Sequence, residues 1–189
     1  FITDTVCLGD YNTFTDLSTS SSSIISWTWD FGNNLDFSSV QNPSYVFNNC
    51  GINNVQLIVI NDIGMSDTVL IPVYVACLPT PMFLLDSNNC DGECTNFTDF
   101  SSSNSNINSW QWNMGGTGTF QNGTNSNSTD PVYCYDNCGI YTPSLTISDS
   151  YGCTATYFEV IQINCNPEAS FLLPDSACTC LLYTSDAAD

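Results

Sequence analysis

The chain has 189 residues, none of which is lysine, arginine or histidine, and its 19 acidic residues give a formal net charge of −19. A chain without cationic side chains cannot hold nucleic-acid phosphates, and an anionic membrane surface would repel it. The usual general bases and amine nucleophiles of enzymes are missing as well. We therefore expect no catalytic residues, no cofactor, no nucleic-acid partner and no membrane insertion, although a hydrophobic content of 42% predicts a folded chain.

The stretch "SWTWDFG" carries the first structural pattern along the chain. Trp27, Trp29 and Phe31 occupy every second position, so their side chains share one face of an extended strand. This alternation predicts that the aromatic face packs into a core, and "SWQWNMG" repeats it with Trp110 and Trp112. The alternative interpretation is an exposed aromatic row that stacks on sugar rings, because such a row has the same spacing.

The motifs recur at fixed distances along the chain. Cys50-Gly51 returns 88 residues later as Cys138-Gly139, whereas Trp27 returns as Trp110 after only 83 residues. The second copy therefore has five extra residues between positions 115 and 130, which we interpret as a lengthened surface loop.

Three units follow from this repetition. The first covers residues 1–77 and is slightly truncated at its N-terminus, the second covers 78–165, and a third begins at 166–179. The last ten residues, 180–189, match what one reading frame of a common sequencing adapter would encode. We exclude them from fold reasoning and expect the natural protein to continue beyond residue 179.

Each complete unit contains about seven short apolar runs separated by serine-rich and asparagine-rich turns. This pattern predicts an all-β fold of tandem Ig-like β-sandwiches with about seven strands each. Within the first unit, we expect Val55, Leu57 and Val59 to face the core opposite Trp29.

The order of the motifs resembles the PKD (polycystic kidney disease) domain. The matching stretches are W-x-W-D-F-G at Trp27–Gly32, N-P-x-Y-x-F at Asn42–Phe47, Cys50-Gly51, and V-x-L-x-V-x-N-D-x-G-x-x-D-T at Val55–Thr68. The second unit departs from this pattern, since Asn113-Met114 replace Asp-Phe and Pro143 lies within a predicted strand.

The resemblance implies PKD-type repeats like those of secreted surface proteins in Bacteroidota, and hence an extracellular or cell-surface location. It further implies a non-catalytic structural module: a spacer, an adhesin stalk or a subunit of a glycosylated surface fibre. The expected partners are neighbouring copies or repeats of the chain itself, and glycans. The alternative function is a carbohydrate-binding accessory module of a secreted hydrolase.

The 11 cysteines indicate disulfides, because the chain has neither a C-x-x-C pair nor a histidine for a zinc site. A calcium-binding D-x-D-x-D loop is missing too, so we expect no metal site. Two pairs, Cys50–Cys77 and Cys138–Cys165, would be equidistant from hairpin turns placed between residues 63 and 64 and between residues 151 and 152. Cys94–Cys134, on strands that neighbour each other in an Ig-like sandwich, is the next predicted pair.

A competing disulfide scheme remains open at this point. It joins Cys7 to Cys50 and Cys90 to Cys138, and it links Cys77 to Cys153 across the unit boundary. This scheme uses the cysteines that the first scheme leaves over.

Short acceptor motifs predict glycosylation at several positions. The N-x-[ST] motif occurs at Asn96, Asn122 and Asn127. An Asp-Thr/Ser-apolar motif similar to the O-glycan acceptor of Bacteroidota occurs at Thr5, Thr68 and Ser176.

The links between units are short and contain proline. "CLPTPMF", residues 77–83, holds two prolines, and "CNPEASF", residues 165–171, holds one. Because proline restricts its own backbone and that of its predecessor, the sequence predicts a stiff rod rather than freely jointed units.

Overall fold

A computed structural model describes residues 6–33, 35–86 and 90–172 of the chain. Long alternating segments of the sequence form the longest strands: in "NNVQLIVIN", Val55 and Leu57 are buried, and Gln56 between them is less so. Within the described residues, no helix has the length and apolarity needed to cross a membrane. We refer to residues 1–77 as repeat 1 and to residues 78–165 as repeat 2.

Repeat 1 is built from a five-stranded sheet and a two-stranded sheet. Its strands are β1 (Val6–Cys7), β2 (Tyr11–Thr13), β3 (Ile24–Asp30), β4 (Phe37–Ser38), β5 (Ser44–Val46), β6 (Gly51–Asn61) and β7 (Ser66–Ala76). The larger sheet has the order β1-β7-β6-β3-β4, and β2 pairs with β5. All pairings are antiparallel except that of β1 with β7.

Among the described residues, repeat 2 has nine strands where repeat 1 has seven, because its long hairpin is divided into shorter strands. The nine strands are β8 (Phe83–Leu85), β9 (Cys94–Asp99), β10 (Ile107–Asn113), β11 (Gly118–Gln121), β12 (Val132–Tyr135), β13 (Gly139–Tyr141), β14 (Ser144–Asp149), β15 (Thr154–Phe158) and β16 (Ile161–Ile163). They form sheets of order β10-β14-β15, β11-β12-β9-β8 and β13-β16. Over the described residues the chain is therefore all-β, as the sequence predicts.

Pro143 accounts for much of the fragmentation in repeat 2. It occupies the place of Val55, which lies in the middle of the continuous strand β6. Proline has no N–H to donate to a sheet, and the corresponding strand is divided at this point into β13 and β14. The opposite strand is divided as well, into β15 and β16.

A glycine lies three residues after the second tryptophan of each W-x-W motif, and close contact with a neighbouring backbone requires it. Gly32 and Gly115 both have positive φ, at 92° and 71°. A Cβ on Gly32 would lie 2.8 Å from the Asn54 carbonyl oxygen, and one on Gly115 would lie 2.7 Å from the Thr142 carbonyl oxygen. Only glycine lets these turns approach the neighbouring strand, so the motif glycine fixes how the turn packs.

The predicted core aromatic residues are buried, with one exception in each repeat. Trp29, Phe31 and Trp112 are buried, and Trp29 lies directly across from Leu57. Trp27 and Trp110, by contrast, are only partly buried and pack against the edge of their core. In repeat 1, Val55 and Leu57 join the buried core, and the partly buried Val59 packs against it.

The structure contains the three disulfides of the favoured scheme: Cys50–Cys77, Cys138–Cys165 and Cys94–Cys134. Cys94 and Cys134 are directly paired across β9 and β12. The other two disulfides lie just beyond the last paired residues of their strands, and in the chain-entropy account each stabilises its repeat by roughly 3–4 kcal/mol. The competing scheme is wrong, since Cys7 bonds instead to Cys153.

Two details differ from the sequence-based expectations. The hairpins are centred on Ile63 and Tyr151, half a residue from the expected turn centres, because the cysteines lie outside the strand register. The five extra residues of repeat 2 do not form a simple surface loop. Part of that segment is strand β11, which pairs with β12.

Truncation of Leu57 tests the core of repeat 1. The side chain is 2% exposed, so Leu57→Ala removes buried apolar surface and leaves a cavity. We expect the free energy of unfolding to fall by about 2–5 kcal/mol, measured by urea denaturation with tryptophan fluorescence.

Leu70→Ala is the matched control for this test. It makes the same truncation on the neighbouring strand, where the side chain is 60% exposed, and should cost about 1 kcal/mol or less. Equal losses in the two variants would contradict the assigned core.

Candidate functional site

The C-terminal end of repeat 1 holds Cys7 in a fixed position. Strand β1 runs parallel to the last residues of β7, with Cys7 opposite Ala76. The Leu8 N–H donates to the Ala76 carbonyl at 2.9 Å, and the next residue, Cys77, is bonded to Cys50. Cys7 is thereby anchored to the part of repeat 1 from which the chain continues into repeat 2.

The hairpin turn between β14 and β15 is organised by one buried carboxylate. Asp149 is 2% exposed and accepts hydrogen bonds from the N–H groups of Tyr151 at 3.0 Å and Cys153 at 3.1 Å. The Ser103 hydroxyl donates to its second oxygen at 3.0 Å. These bonds fix the backbone of the turn, so Cys153 is presented in one orientation.

The electrostatics of Asp149 follow from the same contacts. Burial raises the pKa of its carboxyl, but the nearby Ser105 and Ser103 side chains and the backbone N–H groups of Cys153 and Tyr151 lower it more. The net result is a pKa below the ordinary value of 3.8. The carboxylate is thus the favoured form in the folded hairpin.

A disulfide joins this hairpin to the end of repeat 1. Cys7 and Cys153 are bonded, with their Cα atoms 5.5 Å apart and a sequence separation of 146. Cys153 is 1% exposed. We call the contact between the two repeats around this bond the junction.

Further contacts surround the junction disulfide. The rings of Tyr74 and Tyr151 lie 5.5 Å apart at 51°, and the Asn104 side-chain amide donates to the Cys77 sulfur at 3.2 Å. Desolvation raises the pKa of the Tyr74 hydroxyl, and the adjacent Tyr151 and Asp149 raise it further. The junction therefore combines a covalent bond with aromatic and polar contacts from both repeats.

The link between the repeats is also held in place. Thr80 exchanges two backbone hydrogen bonds with Ser102, at 2.7 and 3.0 Å, and Phe100 donates to the Met82 carbonyl at 2.9 Å. Cys77 is fixed to repeat 1 by its disulfide. Only residues 78 and 79 lie between these anchors, and Pro79 is buried.

The tryptophans do not form an exposed row. Trp29 and Trp112 are buried, and the indole N–H groups of Trp27 and Trp110 donate to Asp16 at 2.7 Å and to Asp99 at 2.8 Å. A polar groove of about 500 Å³ passes beside Trp110. The sugar-stacking arrangement that the sequence leaves open is not assembled by these four residues.

The glycosylation candidates are accessible where the structure describes them. Asn96, Asn122, Asn127 and Thr68 are all exposed. The side-chain amide of Asn96 donates to Asp86, and Asn122 occupies a turn with φ of 55°. Thr5 and Ser176 lie outside the described residues, so their surroundings are not assigned.

Groups of acidic, cysteine or histidine side chains that could hold a metal ion are not found among residues 6–33, 35–86 and 90–172. The chemically distinctive residues of the described chain are instead its cysteines. The sequence analysis missed the pairing of Cys7 with Cys153, although both cysteines are left over once the three favoured pairs are assigned.

Comparison with solved structures finds similar domains in bacterial proteins. The PKD1 domain of Epp from Vibrio anguillarum is 27% identical and aligns with 48% of this chain and 99% of its own length, at a TM-score of 0.40. The PKD1 domain of the metalloprotease PrtV from Vibrio cholerae is also 27% identical, covering 46% and 98%, at a TM-score of 0.38. Fibronectin(III)-like modules of CbhA from Clostridium thermocellum are 12% identical, covering 89% and 95%, at a TM-score of 0.40.

A comparison with curated proteins gives no significant match. The PKD domain family model matches this chain twice, over residues 2–75 and 78–164. These two matches coincide with repeat 1 and repeat 2 and cover most of the chain. The chain therefore belongs to the PKD domain family and contains two PKD repeats in tandem.

Proposed function

We propose that this chain is part of an extracellular stalk in which PKD repeats act as rigid, non-catalytic spacers. The observation that carries the proposal is the Cys7–Cys153 disulfide. A covalent bond between successive repeats, added to the peptide link, leaves two connections where a flexible tandem protein has one. Relative rotation of the repeats is restricted accordingly.

The short free link supports the same function. With only two residues between the anchored Cys77 and Thr80, the link has almost no length over which to bend. The buried Pro79 restricts the backbone further. Both connections between the repeats are therefore stiff.

The charge and the disulfides suit an extracellular stalk. A net charge of −19 opposes both compaction and association between copies at low ionic strength. Disulfides persist outside the reducing cytosol, and PKD domains are generally non-catalytic extracellular modules. Trypsin has no cleavage site in a chain without lysine or arginine.

The alternative of a carbohydrate-binding module receives less support. Such a module needs aromatic rings whose faces are open to a sugar. Two of the four tryptophans are buried, and the indoles of the other two are bonded to aspartates.

Removal of the junction disulfide tests the stalk proposal. In the double variant Cys7→Ser/Cys153→Met, the second change introduces the residue that repeat 1 carries at this position, Met65. We expect the native chain to tumble as one elongated body and the variant to show faster, partly independent tumbling of each repeat. Nitrogen-15 NMR relaxation measures the tumbling, and small-angle X-ray scattering measures the spread of shapes.

The double variant Cys94→Ala/Cys134→Ala is the control, because it removes a disulfide within repeat 2 and leaves the junction intact. It should lower stability without changing the relative motion of the repeats. Independent tumbling of the repeats in the native chain, with Cys7–Cys153 formed, would overturn the proposed function.

The hairpin that enters the junction should depend on pH through Asp149. Because its folded pKa lies below 3.8, the carboxylate contributes stability that is present above the unfolded pKa and is lost as the pH falls through the folded pKa. We expect Asp149→Asn to cost about 1–3 kcal/mol at pH 7. The difference from the native chain should shrink as the pH falls from about 4 towards 2.

Urea denaturation across this pH range measures the difference. Asp67→Asn, which changes an exposed carboxylate on β7, is the control and should alter stability by about 0.5 kcal/mol or less. A cost of Asp149→Asn that is the same at every pH would contradict the role given to the ionised form.

A further inference from the structure

Cys90 occupies the same place in repeat 2 that Cys7 occupies in repeat 1. Cys90 forms a parallel bridge with Asn164, as Cys7 does with Ala76. The following residue, Asp91, donates to the Asn164 carbonyl at 2.8 Å, where Leu8 donates to Ala76 at 2.9 Å.

The turn after each cysteine is also the same. Glu93 donates to the Cys90 carbonyl at 3.1 Å, and Asp10 donates to the Cys7 carbonyl at 3.0 Å. Gly92 and Gly9 both have positive φ, at 80° and 88°. The backbone around the thiol therefore has the same conformation in both repeats, and in each it lies beside the last residues of the repeat.

The two thiols differ in what they bond. Cys7 is bonded to the hairpin of the repeat that follows it. Cys90 is a free, partly buried cysteine with no disulfide partner among the described residues. Its surroundings are more open than those of Cys7, because Asn164 is exposed where its counterpart Ala76 is buried.

The chain after repeat 2 repeats the spacing of the first link. Six positions separate Cys77 from Phe83, and six separate Cys165 from Phe171. The segment "ASFLLPDSAC" then matches "PMFLLDSNNC" at the start of repeat 2. A repeat that begins at this point would be tethered to repeat 2 by a link of the same length as the one that brings Cys153 to Cys7.

We propose that Cys90 is the attachment site for a following PKD repeat, through a disulfide with the cysteine in that repeat's hairpin at the position of Cys153. This inference deepens the proposed stalk function and rests on it, because it extends the junction from one pair of repeats to a series. Cys178, the counterpart of Cys90 in the third unit, lies outside the described residues.

The bond forms by oxidation of two thiols. The Cys90 sulfur and the hairpin sulfur each lose a proton and together lose two electrons. A small-molecule or protein disulfide accepts these electrons and protons by thiol–disulfide exchange and is released as two thiols.

Met65 gives the attachment a direction. It occupies the position of Cys153 in the hairpin of repeat 1, so this hairpin has no thiol to offer to a preceding unit. We call Cys7 and Cys90, which accept a bond from the next repeat's hairpin, the receiving cysteines. Repeat 1 has only a receiving cysteine, Cys7. Repeat 2 has both a hairpin cysteine, Cys153, and a receiving cysteine, Cys90. Where a hairpin carries a cysteine, the attachment therefore runs from that hairpin back to the preceding repeat.

The test is a three-repeat chain in which residues 1–170 are followed by a copy of residues 83–165. The copy carries Cys90→Ser, which removes its own receiving thiol, and Thr154→Ser, which marks its hairpin by mass. After folding with glutathione and glutathione disulfide, we expect no thiol to react with maleimide under denaturing conditions. Chymotryptic mapping without reduction should join Cys90 to the marked hairpin and Cys7 to the unmarked one.

Two controls make the thiol count decisive. Residues 1–170 alone should retain one reactive thiol, that of Cys90. The three-repeat chain with Cys153→Met in the copy should also retain one reactive thiol, again that of Cys90. Mass mapping of Cys7–Cys153 in every sample verifies that the first junction has formed.

Several outcomes would overturn the inference: two reactive thiols in the three-repeat chain, bonding of Cys90 to another cysteine, or dimers linked through Cys90. If Cys7–Cys153 forms and repeats 1 and 2 still tumble together, these outcomes leave the proposed stalk function intact. Independent tumbling of repeats 1 and 2 is instead the failure of the stalk function itself.

Discussion

The constraint on which this structure depends is that no carboxylate can pair with a cationic side chain, because the chain has none. Each buried or partly buried carboxylate must be satisfied by neutral donors. Asp16 and Asp99 accept from indole N–H groups, Asp36 accepts from the Tyr45 hydroxyl at 2.6 Å, and Asp149 accepts from backbone N–H groups and a serine. Since the remaining negative charges repel one another, the fold relies on its aromatic cores and its disulfides for cohesion.

This constraint explains why the partly buried tryptophans belong to the scaffold. Trp27 and Trp110 pack against the edge of their cores, and each binds an aspartate 11 residues earlier in the chain. Hydrogen bonds from Ser18, Trp27 and Gln41 outweigh the effect of burial on Asp16 and lower its pKa. Each of these two tryptophans thus packs against the core and donates a hydrogen bond to a carboxylate. The alternation of aromatic residues in the sequence predicts the packing but not the hydrogen bond.

The sequence predicts features that depend on local pattern or on the repeat. Alternating residues locate the strands, and the cysteines at the ends of each long hairpin locate two disulfides. Contacts between distant segments cannot be predicted in this way. The bond from Cys7 to Cys153 depends on the relative position of the two repeats, and the spacing of residues in the sequence does not specify that position. The extra segment of repeat 2 could not be predicted for a similar reason. Part of it forms strand β11 by pairing with the edge of β12, and this pairing depends on the folded position of β12.

The junction disulfide also determines how tension would pass through the chain. A force applied before Cys7 can pass directly to Cys153 through the sulfur atoms, so residues 8–152 lie in a closed covalent loop. Repeat 1, including β6 and β7, lies entirely within this loop after residue 7 and is shielded from unfolding by that force. A tandem protein without this bond lengthens by a whole repeat when one repeat unfolds, whereas here the same pull acts only on the residues outside the loop. In the proposed stalk, the disulfide therefore limits extension as well as bending.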